Sequence, residues 1–361
     1  MNSNNTDSKP VHNFNAGPSI LPTEVFAKSA AAILNYNDSG LSILEIGHRT
    51  QLFQNIMDEA RSLVKDLMKL DPDHEVLFLH GGASTQFMQV PINLLNARDV
   101  AAYTETGIWA NKAIKEAKLF GKVEVVCSSK DADYNYIPKD FAVPNDARYL
   151  HITTNNTVYG TQWKSIPKVS IPVVADMSSD ILSREIDFNA FDLIYAGAQK
   201  NIGAAGANLV VVNKNALPKL KRAIPTILDY RNHIAEGSML NTPPVFAIYV
   251  CLLTLQWLKE QGGVAAIEKK NKQKASALYA AIDSNSMFRG TVNEEDRSDM
   301  NVCFAIDNKS AGDQFIKVCD ANNIVGIKGH RTVGGFRASL YNAMPLSSAE
   351  VLANIIGNFS F

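Results

Sequence analysis

Glu75-Val-Leu-Phe-Leu-His80-Gly81-Gly82-Ala83-Ser84-Thr85-Gln86 is the stretch on which the fold turns. Residues 75–80 form a short apolar run of strand composition. Two glycines break it, and a helical pattern follows over residues 84–95. A strand that runs through glycines into a helix is the repeating element of an α/β architecture. The same alternation continues on both sides. Residues 100–103, 123–127, 148–153, 173–176, 192–196 and 208–212 read as strands, and residues 109–120 as a helix closed by Gly121. Helices over 24–35 and 51–68 precede the first strand. The expectation is an α/β fold whose large domain has a mainly parallel sheet flanked by helices.

Further along, Pro243-Pro244 interrupts the chain and an apolar run over 245–258 follows. That run is short and contains Gln256, so it reads as a buried helix rather than a membrane span. Gln261-Gly262-Gly263 interrupts again before a long helical pattern over 264–282. Strand and helix signals at 301–306 and 312–321 then suggest a second unit. A length of 361 residues allows about two domains at roughly 150 residues each. We place a large domain at 14–261 and a smaller C-terminal α/β domain at 262–361, with the N-terminal segment a candidate to pack on the latter. Residues 1–10 are polar and read as a frayed tail.

Composition excludes several functions. Hydrophobic residues are 46% and charged residues 20%, an ordinary globular balance. Lys+Arg is 35 against 36 Asp+Glu, a net charge of −1, which argues against a nucleic-acid or membrane partner. Cys127, Cys251, Cys303 and Cys319 show no metal-ligand spacing and read as free thiols in a reducing compartment, so no metal is expected. The polar N-terminus is not a secretory signal, and the cytoplasm is the expected location.

Three segments could carry chemistry. In His80–Gln86 a helix N-terminus after glycines offers free N–H groups, with Ser84 and Thr85 adding hydroxyls, a recipe for holding phosphate. A plain β–α turn capped by Ser or Thr fits that segment equally well. Asp176 ends an apolar strand, where ligands gather in open α/β sheets, although a turn aspartate bonded to Ser178 or Ser179 has the same signature. Lys200 lies in Tyr195-Ala-Gly-Ala-Gln-Lys200-Asn201-Ile-Gly203, flanked by small residues that let a ligand approach. A lysine desolvated there becomes nucleophilic towards a carbonyl, whereas most lysines in loops are simply exposed. Acids are absent between Glu75 and Asp99, between Asp192 and Asp229, and between Asp320 and Glu350. Such windows suit an anion pocket built from distant segments. Pyridoxal 5'-phosphate would use all three motifs: an aldehyde for Lys200, a pyridinium nitrogen for Asp176, and a phosphate for Ala83 and Ser84. Trp109, at the start of a helix, could stack on the ring.

With these motifs the chain resembles the phosphoserine aminotransferase family, within the class-V, fold-type-I pyridoxal phosphate enzymes. Phe14-Asn-Ala-Gly-Pro18, Gly47-His-Arg49, Gly81-Gly-Ala-Ser-Thr-Gln-Phe87, Leu240-Asn-Thr-Pro-Pro244, Lys328-Gly-His-Arg331, Val333-Gly-Gly-Phe-Arg337 and Tyr341-Asn-Ala-Met-Pro345 carry the resemblance beside the Lys200 segment. It extends over nearly the whole chain from Phe14.

The resemblance implies transamination between L-glutamate and 3-phosphohydroxypyruvate, giving O-phospho-L-serine and 2-oxoglutarate, with 4-phosphohydroxy-L-threonine as a further product. Lys200 would join the cofactor covalently, Asp176 would pair with its ring nitrogen, Trp109 would stack on it and Thr157 would bond its hydroxyl. Gln199, Ala83 and Ser84 would hold its phosphate, and Asn241 and Thr242 would reach the phosphate in a neighbouring subunit, which implies a homodimer. Arg337 would take the substrate α-carboxylate. His48, Arg49, His330 and Arg331 would take the distal phosphate or carboxylate. Some members of the family have arginine where this chain has Ser84, so the substrate phosphate would lean on His330, Arg331 and Arg49 here. Three other readings compete. A cysteine desulfurase would need a nucleophilic cysteine on a mobile loop, whereas Cys303 and Cys319 sit in apolar, element-like segments. An alanine–glyoxylate transaminase has no use for His330-Arg331, and a non-enzymatic ligand-binding domain none for Lys200.

Overall fold

The computed structural model describes residues 10–361. The frayed tail expected over 1–10 therefore lies outside the described residues, apart from Pro10, which is exposed.

Seven strands form the main sheet. Their order in space is His74–His80, Ala207–Asn213, Leu193–Gly197, Val173–Asp176, Leu150–Thr153, Val100–Glu105 and Lys122–Ser128. Six share one direction, and Ala207–Asn213 runs antiparallel to both of its neighbours. The sheet is mainly parallel, as expected, and its one antiparallel strand has a local reason. A parallel crossover needs a dozen or more residues. Residues 198–206 are too few, so the chain folds back on itself. The strands Leu150–Thr153, Val173–Asp176 and Leu193–Gly197 are buried at every residue, which is why they read as continuous apolar runs rather than alternating ones.

Helices cover both faces. Ala83–Leu94 and Ile108–Ala117 pack on one side over Leu77, Tyr103, Tyr149 and Tyr195. Gln51–Met68 and Val245–Glu260 pack on the other. The latter helix is buried from Ala247 through Leu255, so its apolar sequence belongs to the core. Among the described residues no helix is long and apolar enough to cross a membrane.

A second core gathers Phe288, Phe304, Phe315, Phe336 and Phe359. Phe304 stacks on Phe336 with centroids 5.4 Å apart, and Phe315 meets Phe336 edge-on at 5.0 Å. The sheet here pairs Asn301–Ala305 antiparallel with Phe336–Ser339 and with Arg289–Gly290. His12–Asn13 pairs parallel with Ile324–Val325, and Phe14 is fully buried in this second core. The helix Gly263–Ser284 spans both cores: Val264 and Ile267 belong to the first, Ala275 and Leu278 to the second.

This topology sets the site. The ends of His74–His80, Val100–Glu105, Leu150–Thr153, Val173–Asp176 and Leu193–Gly197 all open on one edge of the sheet. Ligands of open α/β sheets collect at the carboxyl ends of the strands.

Candidate active site

Five loops at that edge enclose a cavity of about 290 Å³. Three other clefts are larger, about 480, 1020 and 350 Å³, but they lie away from these carboxyl ends, around Trp163, Arg222 and Pro172. Chemistry rather than size picks out the smaller space.

Lys200 stands in the turn after Leu193–Gly197 and lines the cavity. Its Nζ donates to Thr157 Oγ1 at 2.9 Å and lies 5.8 Å from the centre of the Trp109 ring. Burial pulls its pKa down to about 8, while Asp176 resists that change and Arg337 adds to it. Gly17 runs alongside at a positive φ of 135°, and a Cβ there would sit 3.1 Å from the Lys200 side chain. Ser19 N donates to Gln199 O at 3.0 Å, and Ser19 Oγ donates to the Lys200 carbonyl, so residues from the chain start clamp the lysine turn.

Asp176 is 4% exposed and ends the strand Val173–Asp176. Oδ1 accepts from Ser178 N at 2.9 Å and from Ser178 Oγ at 2.6 Å. The turn-aspartate reading and the cavity reading therefore hold together. Burial raises its pKa, against the opposing pull of Lys200 and Ser178.

Gly82 caps the helix Ala83–Leu94 without any side-chain bond, and the Ala83 and Ser84 N–H groups have no protein acceptor among the described residues. Trp109 Nε1 is buried without a partner. Lys112 Nζ lies 4.3 Å over the same ring. Arg337, on Phe336–Ser339, donates from its Nη1 to Thr157 O at 3.1 Å, and its Nε is buried and unpartnered. Burial lowers the His330 pKa, and Arg337, Arg331 and Lys112 push the same way.

Of the expected residues, Ala83, Ser84, Trp109, Thr157, Asp176, Gln199, Lys200, His330 and Arg337 line this one cavity. His48, Arg49, Asn241, Thr242 and Arg331 do not. Thr242 lies beside the glycine turn, where its carbonyl meets His80 Nε2 at 2.5 Å. His48 is half-buried with Nε2 unpartnered, and Arg49 is exposed.

Sequence reading missed Thr153 and Asn155, and it read Ser178 and Ser179 only as partners of a turn aspartate, whereas all four also line the cavity. Asn155 Nδ2 donates to Ser179 Oγ at 2.8 Å and to Asn301 Oδ1 at 2.7 Å, while its Oδ1 accepts from Ser298 Oγ at 2.5 Å. It ties the Asp176 loop to the sheet that carries Arg337. The one available signal was the run of polar residues Thr153-Thr-Asn-Asn-Thr157 after an apolar strand. The thiols are unsuited to nucleophilic work: burial pushes Cys127, Cys251, Cys303 and Cys319 up to about 12.

An amine with a lowered pKa, a buried carboxylate with one uncommitted oxygen, free helix N-terminal N–H groups and an aromatic face fit pyridoxal phosphate, and so define a pyridoxal phosphate transferase of the α/β class. Comparison with known proteins narrows this. The class-V aminotransferase family model matches residues 11–352. A phosphoserine aminotransferase of Flavobacterium psychrophilum is 57% identical over 346 residues, covering 96% of this chain and 97% of that protein. The solved phosphoserine aminotransferase of Bacillus circulans subsp. alkalophilus is 42% identical, with a TM-score of 0.94 and coverage of 97% and 98%. Another phosphoserine aminotransferase structure, reported for radiation damage to its Schiff base, is 43% identical with a TM-score of 0.94 and coverage of 96% and 98%. The chain belongs to the class-V aminotransferases and, within them, to the phosphoserine aminotransferases. Its cofactor is pyridoxal phosphate.

Proposed function

We propose that this aminotransferase moves the amino group between L-glutamate and 3-phosphohydroxypyruvate, yielding O-phospho-L-serine and 2-oxoglutarate, and that it also forms 4-phosphohydroxy-L-threonine for vitamin B6 synthesis. The observation that carries the reading is Lys200 held against Thr157 between Asp176 and Arg337, with its pKa lowered to about 8. When bound, pyridoxal phosphate supplies an aldehyde that captures amino groups and a ring that takes up the electrons left when the α-proton departs.

The protein residues do the rest. Lys200 Nζ, with its pKa lowered to about 8, is a free amine in an appreciable fraction near neutral pH, so it would take the proton from the substrate α-carbon and hold it at Nζ for return. Asp176 would keep a proton on the ring nitrogen. Trp109 would cover the ring face, Thr157 would hold the ring hydroxyl, and Ala83, Ser84 and Gln199 would hold the phosphate. Arg337 binds the α-carboxylate through a guanidinium already oriented by Thr157 O. His330 and Arg331 meet the distal phosphate or, in the glutamate half, the side-chain carboxylate.

We further propose a cytoplasmic homodimer with shared sites. Asn241 and Thr242 stand outside their own cavity and would serve the partner's cofactor phosphate. His48 and Arg49, also outside it, would reach the partner's substrate. The domain division near Gly262 is part of the same reading, with the C-terminal domain carrying His330, Arg331 and Arg337.

Arg331→Ala tests the substrate. It should cut turnover of phosphohydroxypyruvate by one to two decades, the worth of one charged contact at about 1.5–3 kcal/mol, and leave hydroxypyruvate nearly unchanged. Equal losses on the two oxo acids would point to a general transaminase. Turnover of the 4-phosphohydroxythreonine oxo acid, measured beside it, tests the second product.

A further inference from the structure

The turn after Val173–Asp176 carries a hydroxyl whose contacts are all defined. Ser178 is 4% exposed and lines the cavity. Its Oγ donates to Asp176 Oδ1 at 2.6 Å, and its backbone N–H donates to the same oxygen at 2.9 Å. Gly197 N–H, on the strand leading to Lys200, donates to Ser178 Oγ at 3.2 Å. A hydroxyl has one hydrogen. With the oxygen accepting from Gly197, that hydrogen is directed at Asp176. Oδ1 is thus occupied twice by Ser178, whereas Oδ2 has no protein donor among the described residues.

A carboxylate buried as deeply as Asp176 is driven towards its neutral form. The groups acting on it are few. Lys200 faces it from the turn after Leu193–Gly197, and Asp180 lies on its own loop. Tyr195, level with it on the adjacent strand, has its hydroxyl held by His151 Nε2 at 2.8 Å, and burial keeps His151 neutral with a pKa of about 3. None of these donates a hydrogen bond to the carboxylate. Only Ser178 does.

We propose that Ser178 is a positioning residue for amino transfer: its hydroxyl, oriented by Gly197, occupies Oδ1 and leaves Oδ2 of a charged carboxylate as the oxygen that meets the cofactor ring nitrogen. The proposal rests on the cofactor assignment and not on which oxo acid is the substrate. It links the lysine strand to the aspartate through one hydroxyl, so both anchor points of the cofactor share a support.

The test uses full-length protein and the variants Ser178→Ala, Ser178→Thr, Asp176→Asn and Asp176→Asn/Ser178→Ala. Two quantities are read: cofactor affinity, by titrating apoprotein with pyridoxal phosphate, and the pH profile of the half-reaction with glutamate. Ser178→Ala should weaken cofactor binding about tenfold or more and move the acidic limb up by about one pH unit, the scale of one hydrogen bond to a charge. Ser178→Thr should restore both. Against Asp176→Asn, removing the hydroxyl should change nothing further. Wild-type affinity and an unmoved acidic limb in Ser178→Ala would overturn the proposal, as would an equal loss in the Asp176→Asn background. Should Ser178→Ala not fold, Ser178→Cys, a weak donor of similar size, is read by the same criteria. Failure of phosphohydroxypyruvate turnover in the wild type would bear on the substrate reading alone.

Discussion

Lys200 Nζ rests 2.9 Å from Thr157 Oγ1, and among the described residues no carboxylate forms an ion pair with it. Burial strips water from the charged amine, with Asp176 opposing and Arg337 assisting, which is why its pKa falls to about 8 from the ordinary 10.5. The free amine is the nucleophile. Covalent capture of pyridoxal phosphate by apoprotein should therefore speed up as pH rises through about 8 and level off above it. Stopped-flow absorbance measures this, and a midpoint near 10.5 would contradict the geometry. Borohydride reduction should fix the cofactor to Lys200, seen by peptide mass spectrometry, and Lys200→Ala should lose the label.

Arg337 is oriented before any substrate arrives, by its bond to Thr157 O at 3.1 Å. Its charge is fixed, and its fork matches a carboxylate at two points. Arg337→Lys retains the charge but loses the fork. Its KM for glutamate should rise by about one decade, and that of Arg337→Ala by about two, in line with about 1.5–3 kcal/mol for a charge-assisted bond. A kcat change with KM unmoved would reassign the residue.

The shared-site proposal makes an all-or-none prediction. Lys200→Ala protein and Asn241→Ala/Thr242→Ala protein should each be nearly inactive. Mixed under conditions that exchange subunits, they should regain activity, because a mixed dimer holds one site with both an intact lysine and an intact partner loop. Sedimentation shows whether dimers form, and no recovery despite exchange would place Asn241 and Thr242 in their own subunit's site.

Lys274 is 1% exposed on the helix Gly263–Ser284, and its Nζ donates to the carbonyls of Leu340 at 2.9 Å and Tyr341 at 2.8 Å. Burial, with a smaller contribution from Lys270, drops its pKa from 10.5 to about 7. Between those values the unfolded chain holds a proton that the folded protein has released. The unfolded state then binds more protons, so stability from this group rises with pH across that window. Thermal melts at a series of pH values should show that rise, and Lys274→Met should flatten it. An identical pH slope in the variant would show that Lys274 stays charged when buried.

Local pattern made much of the molecule legible. Apolar runs ending in glycines marked the strands because strands buried on both faces need no alternation. The helix over Val245–Glu260 was readable because an apolar surface on every side has only a core to face. Lys200, Asp176 and the Ala83 turn stood out because each joins a reactive group to a strand end within a few residues.

Tertiary structure decided what distance along the chain conceals. Ala207–Asn213 turned antiparallel because its connection is too short to cross over. Gly17 beside Lys200, Asn155 bonded to Asn301, and Ser178 between Asp176 and Gly197 are meetings that no periodicity records. The sequence by itself determined which groups this protein owns and the secondary structure that carries them, because both follow from side-chain chemistry over a few residues. Only the fold decided which groups share one cavity and how far burial moves Lys200 and Asp176 from their ordinary acidity, because desolvation is a property of everything packed around an atom.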